Sequence, residues 1–147
     1  METKISDILK EKGGNIFSVT PNTTVFDTIR LMVDKNIGAV LVMDGDRLEG
    51  IFTERDYMSK IILKGYSSKE TPVKGVMTTK VAYITPDASL EEGLAAMGEK
   101  RCRHMPVFEN KKLVGVVSIG DLAKRMIKDQ KVTIKNLAEY IAENWEK

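Results

Sequence analysis

Along this chain the apolar positions change period in a fixed order, and the order occurs twice. Ile16 to Val19 and Val81 to Ile84 are short strand-like runs that end at a Thr-Pro pair, where proline supplies no ladder donor and disfavours a helical residue before it. A helical spacing follows in each: Val25, Ile29, Met32 and Val33 predict one buried face, as do Leu90, Leu94 and Met97. Next come AVLVM (39–43) with LEGIF (48–52), and MPVFE (105–109) with LVGVV (113–117). Each pair predicts a hairpin, turned at Asp44-Gly45-Asp46 in the first and at Glu109-Asn110-Lys111 in the second. A last helix carries Tyr57, Met58, Ile61 and Ile62, matched by Leu122, Met126 and Ile127. The predicted unit is β-α-β-β-α, which places the chain in the mixed α/β (α+β) class.

The repetition is a duplication. Shifted by 65 positions, residues 20–57 align with 85–122 without a gap: Thr20-Pro21 falls on Thr85-Pro86, Met32 on Met97, Lys35 on Lys100, Val42 on Val107, Leu48 on Leu113, Gly50 on Gly115 and Asp56 on Asp121. Upstream, Ile5 to Leu9 resembles Val73 to Met77 at an offset of 68, so the first copy holds three extra residues near Gly13-Gly14-Asn15. So long a period does not suit a solenoid and predicts two halves of one globule about a pseudo-two-fold axis. The expected organisation is a first copy with its N-terminal helix (1–64), a polar connector GYSSKETP (65–72), a second copy (73–130) and a C-terminal extension (131–147). In that extension Ile134, Leu137, Ala138, Ile141 and Trp145 form a helical apolar stripe. A short helix is marginal in water, so the stripe is expected to bury itself on something.

Composition narrows the function. At 147 residues the chain has length for a real core, and no apolar run approaches the ~18 residues a spanning helix needs. The N-terminus METKISDILKEKGG is too charged for a secretory signal, so a cytoplasmic protein is expected. A net charge of +2 supplies no field that draws nucleic acid. One cysteine, Cys102, and one histidine, His104, exclude an intrachain disulfide and a His/Cys zinc cluster. Neither supplies a nucleophile–base pair, so no enzyme activity is expected. Gly115-x-x-x-x-Gly120 has the spacing of a phosphate loop but lacks its lysine, and Asp44-Gly45-Asp46 lacks the further ligands of a calcium loop.

The local pattern that carries chemistry is Gly-h-h-Thr/Ser-x-x-Asp, where h is apolar. It is written Gly50-Ile-Phe-Thr53-Glu-Arg-Asp56 and again Gly115-Val-Val-Ser118-Ile-Gly-Asp121. Each copy sits where a strand hands over to a helix. There the glycine admits a ligand or a neighbouring backbone, the hydroxyl can donate to a phosphate, and the carboxylate can accept from two vicinal ribose hydroxyls. The same residues also satisfy a capping box, with the hydroxyl capping the helix and the acid reaching back. The two roles are compatible.

With its tandem β-α-β-β-α repeat, the Thr-Pro strand ends, Arg101-Cys-Arg-His-Met-Pro-Val107 before the second hairpin and both motifs, the chain resembles a pair of cystathionine-β-synthase (CBS) domains over roughly residues 4–128. The resemblance implies a non-catalytic regulatory module that binds AMP, ADP, ATP, NAD or S-adenosylmethionine in two clefts and acts as a homodimer on a regulated protein partner, without nucleic acid or membrane. By the family pattern one pocket takes Thr53, Arg55 and Asp56 with Thr85, Leu90, Cys102, Arg103 and His104. The other takes Ser118 and Asp121 with Thr20, Val25, Ile37, Gly38 and Ala39. The first set contains cations for a phosphate and the second has none at its aligned positions, so the first is expected to bind phosphorylated ligands more tightly. The competing expectation is an interaction scaffold whose clefts are empty or structural.

Overall fold

Elements follow the predicted order, except for the first strand of the second copy, because each junction carries its own start or stop signal. The computed structural model describes residues 2–13, 15–129, 141 and 142. Helix α1 (Ile5–Lys12) precedes β1 (Ser18–Val19), α2 (Val25–Lys35), β2 (Ala39–Asp44) and β3 (Arg47–Thr53). A single turn, α3 (Glu54–Asp56), runs on as a π-helical segment, Tyr57–Ile62, and a 3-10 turn, Val73–Gly75, leads into the second copy. There α4 (Leu90–Lys100), β4 (His104–Glu109), β5 (Lys112–Ser118) and α5 (Ile119–Lys128) complete the order.

Helix α2 opens on Thr24, whose hydroxyl accepts from the Asp27 N–H at 3.1 Å, and α4 opens on a reciprocal Ser89/Glu92 box. Both helices stop at equivalent residues in the left-handed region, Asn36 (φ 55°) and Arg101 (φ 54°). Strands β2 and β3 pair antiparallel around a two-residue loop at Gly45 (φ 63°), and β1 joins β2 in parallel to give the order β1-β2-β3. The β4–β5 turn places Asn110 and Lys111 at φ 52° and 65°, the mirror-image turn that suits the twist of a hairpin.

Three sequence expectations change. The run Val81 to Ile84 makes only one parallel bridge, Ile84 to Val107, through the Ile84 N–H to Pro106 O (3.1 Å) and the Phe108 N–H to Ile84 O (3.0 Å). Pro106 has no N–H with which the ladder would continue, whereas the first copy has Leu41 at that position and forms a true strand pair. On α2 the buried residues are Val25, Thr28 and Met32, and Val33 is 75% exposed. Thr28 is tolerated inside because its hydroxyl donates to Thr24 O at 2.8 Å. In the π-helical segment only Ile61 is buried, and Met58 and Ile62 face solvent.

The compact units cut across the sequence copies. One unit takes the N-terminal segment, Ile84–Asn110 and the chain from Val114; the other takes Asn15–Tyr83 and Lys111–Leu113. Each copy's body therefore holds the other copy's leading segment, through the same pair of backbone bonds. In one unit the Ile5 N–H donates to Ala88 O and the Leu90 N–H to Thr3 O, both at 2.9 Å. In the other, the Val73 N–H donates to Thr23 O (2.8 Å) and the Val25 N–H to Thr71 O (2.9 Å). The core of this second unit gathers Val25, Met32, Val40, Val42, Phe52, Ile61, Val73 and Val76. In the first unit, Glu11 of α1 pairs with Arg125 and Lys128 of α5. Of the expected C-terminal helix, Ile141 and Ala142 are helical and exposed; its other residues lie outside the described ones.

Candidate functional site

Both Thr/Ser-x-x-Asp motifs form the same corner. Thr53 is the last residue of β3; its hydroxyl accepts from the Asp56 N–H at 3.2 Å, and Asp56 Oδ2 accepts from the Thr53 N–H at 3.0 Å. Ser118 and Asp121 repeat the exchange at the start of α5, at 3.1 and 2.8 Å. The Glu54 N–H donates to Gly38 O and the Ile119 N–H to Arg103 O, so each corner is also tied to the entry of its own copy's second strand. The capping role is thus realised twice, on bonds that satisfy donors a helix start otherwise leaves open.

The carboxylates differ in what else they hold. Asp56 is 5% exposed; its Oδ2 also accepts from the Thr53 hydroxyl (3.2 Å), and its Oδ1 accepts from the Thr78 hydroxyl (2.9 Å) and faces the Lys60 ammonium (3.1 Å). Lys60 is fixed in turn by donating to Val76 O at 2.9 Å. Asp121 Oδ2 takes Lys12 Nζ at 2.9 Å, and Lys12 also donates to Val116 O at 2.7 Å. Burial, the largest single influence, pushes the Asp121 carboxyl up. The hydrogen bond and charge of Lys12, with the Ser118 N–H and hydroxyl, outweigh it and hold the carboxyl below its ordinary value. The second motif therefore does have a cation, brought by α1 from outside the stretch that the repeat aligns.

The motif glycines are explained by chain crossing. A Cβ on Gly50 would lie 2.7 Å from Thr78 O and 2.8 Å from Met77 Sδ, and one on Gly115 would lie 2.6 Å from a Leu9 methyl. Met77 and Leu9 are equivalent residues of the two leading segments. Of the two openings left by the sequence, close approach of backbone or of ligand, the structure displays the first at Gly50.

The remaining expected residues sit as follows. In the unit of the first copy, Thr20 is exposed and bonded to Thr23, and Arg55 is exposed on the turn after Thr53. Val25 is fully buried as the first residue of α2. Ala39 pairs with Thr53 across β2 and β3. Ile37 and Gly38 join Phe52, Glu54, Tyr57 and Met58 in lining a cleft of about 590 Å³, within the range of small-molecule sites. In the unit of the second copy, Leu90 is buried at the start of α4, Thr85 donates to Asp87 at 2.6 Å, and His104 opens β4 beside exposed Arg103. Burial, partly offset by a backbone hydrogen bond, pushes the half-buried Cys102 thiol up, so little thiolate is present at neutral pH.

The residues that sequence reasoning missed are Lys12, Lys60 and Thr78. Lys60 was within reach, since it stands four residues after Asp56 on the same helix. Among the described residues no helix is long and apolar enough to cross a membrane.

Comparison with known proteins agrees with this construction. The family model for the CBS domain matches residues 5–63 and 73–128. The chain is 37% identical to the mitochondrial CBS domain-containing protein CBSX3 of Arabidopsis thaliana, over 95% of this chain and 72% of that protein. It is 32% identical to the CBS domain-containing protein YhcV of Bacillus subtilis, over 78% of this chain and 81% of the other. Its fold superposes on the solved structure of a CBS-domain protein from Burkholderia ambifaria MC40-6 with a TM-score of 0.84 and 50% identity, covering 90% of this chain and 99% of that one.

Proposed function

The chain belongs to the CBS-domain family as a tandem pair, and from that premise we propose that it is a non-catalytic regulatory module that binds an adenosine-containing ligand and works as a homodimer on a protein partner. The observation that carries the reading is the strand-to-helix corner, built twice from a hydroxyl and a carboxylate on identical bonds. A carboxylate held there suits a vicinal diol, and the lysines placed beside both acids suit an anionic group. AMP, ADP, ATP, NAD and S-adenosylmethionine all present the ribose.

Self-association is supported by apolar side chains left outside. Val33 (75% exposed) and Met58 (58%) border the cleft, and Ile62 (58%) stands one turn beyond Met58. A second copy is the proposed cover.

Purified protein is to be extracted with acid and the extract examined by mass spectrometry, and the ligand-free protein melted with each adenosine compound and with GTP. At a hundredfold excess over Kd a native-state ligand adds about 2.7 kcal/mol of stability, a shift of several degrees. At least one adenosine compound is expected to produce it and GTP less. No shift at millimolar concentration selects the second reading, an interaction scaffold, which the filled and buried carboxylate of Asp56 favours.

A further inference from the structure

Two apolar surfaces of this chain show exposed side chains in the single copy. The first is the cleft of about 590 Å³ beside α2, lined by Ile29, Ile37, Phe52 and Tyr57 and bordered by Val33 and Met58, which are 75% and 58% exposed. The second is the C-terminal stripe of Ile134, Leu137, Ala138, Ile141 and Trp145. Ile141, the member of that stripe among the described residues, is helical and 50% exposed. The stripe recurs at i, i+3, i+4, i+7 and i+11, the spacing of a helix that lays one face into an apolar groove.

We infer that the cleft is the seat of the C-terminal segment of a second copy, and that the exchange is reciprocal, each copy lending its tail to the other. This assignment rests on the homodimer reading above and names the part of the second copy that makes the contact. Shape decides between the tail and the alternative occupant, the matching cleft of the second copy. Two concave faces set against each other would enclose about twice the volume of one cleft as empty space, whereas interface cores pack at the density of protein interiors. A helical ridge fills a cleft. Reciprocity follows from two-fold symmetry, under which the same contact is made twice, and two seats together approach the roughly 1,200–2,000 Å² of a stable interface more readily than one. A helix as short as the tail is marginal in water until its apolar face is covered, so seating and helix formation support each other. Trp145 is the anchor, because an indole buries the most area at little entropic cost.

Trp145 is also the single tryptophan of the chain, so its fluorescence reports the seat directly. Full-length parent is compared with Val33→Lys/Met58→Lys, which blocks the cleft, and with Leu137→Lys/Ile141→Lys/Trp145→Phe, which blocks the tail and removes the indole. Emission, acrylamide quenching and sedimentation are read for each. In the parent dimer the indole is expected to be shielded. Either variant alone is expected to associate about a hundredfold more weakly or worse, the loss for two buried anchors, and the indole of the cleft-blocked copy is expected to be exposed. Adding an excess of the tail-blocked copy, whose cleft is intact, is expected to shield that indole again, because one of the two seats is restored. An indole exposed in the parent dimer, one equally shielded in the cleft-blocked variant, or no recovery in the mixture overturns the inference, while a parent that sediments as a dimer leaves the homodimer reading standing. A parent that is monomeric at every concentration overturns the reading and the inference together. If the cleft-blocked variant does not fold, dilution of the parent decides: shielding lost in step with the dimer supports the seat, and shielding that survives dissociation overturns it.

Discussion

Replacing Gly50 by alanine places a methyl where the leading segment of the second copy crosses β3. The new Cβ would stand 2.7 Å from Thr78 O, against a C···O contact distance of about 3.3 Å, so the backbone must retreat by about 0.6 Å. That carbonyl accepts the Ile51 N–H at 2.9 Å, and the Thr78 N–H donates to Ile51 O at 2.8 Å, so retreat strains a two-bond bridge. Overpacking of this kind costs about 1–3 kcal/mol, and loosening the bridge adds about 0.5–1.5 kcal/mol. Removing glycine's freedom from the unfolded chain returns about 0.4–1 kcal/mol, so the expected loss is about 1–4 kcal/mol. Gly115→Ala is the internal control, because there the Cβ meets the far end of Leu9, 2.6 Å away, which can rotate. An off-rotamer leucine costs about 0.5–1.5 kcal/mol, and removing glycine's freedom from the unfolded chain returns about 0.4–1 kcal/mol. Neither glycine has a positive φ, so backbone strain does not enter the comparison.

Urea unfolding followed by circular dichroism, with calorimetric melting, reads the difference. At about 2–4 °C per kcal/mol for a chain near this size, Gly50→Ala is expected to lose roughly 2–16 °C and Gly115→Ala at most about 4 °C, the first always the larger. Equal losses, or a larger loss at Gly115, would refute the reasoning that a carbonyl cannot yield where a methyl can.

Two further outcomes are expected. The double variant Val33→Lys, Met58→Lys should sediment as a monomer while keeping the parent's melting temperature to within the effect of losing the assembly, because both positions are exposed; an unchanged sedimentation coefficient would remove this face from the dimer. Lys12→Met should change the acid limb of stability. Since Asp121 has a lowered folded pKa, it contributes stability that is present above the unfolded value of about 3.9 and is lost as pH falls through the folded value beneath it. Removing Lys12 lifts the folded value, so the variant should be less stable at pH 7 and lose less between about pH 4 and 2. Urea midpoints taken across that range check the slope, and a slope equal to the parent's would count against the Lys12–Asp121 pair.

Signals carried within a few residues were legible in the sequence. The duplication, the β-α-β-β-α order, the two hairpins and the Thr53/Asp56 and Ser118/Asp121 corners all rest on periodicity, turn chemistry and caps, which act over three or four positions. That close approach occurs at Gly50 and Gly115 was also legible, though not what approaches. Tertiary structure decided everything that depends on which distant segment arrives. It exchanged the leading segments, so that Leu9 reached Gly115 and Met77 reached Gly50. It brought Lys12 to Asp121 across 109 positions and Thr78 to Asp56 across 22. It also turned Val33 outward and sealed Thr28 in its place. Helical spacing sets which residues share a stripe, but the partner surface sets how wide that stripe is and where it is centred, and no local preference encodes that surface.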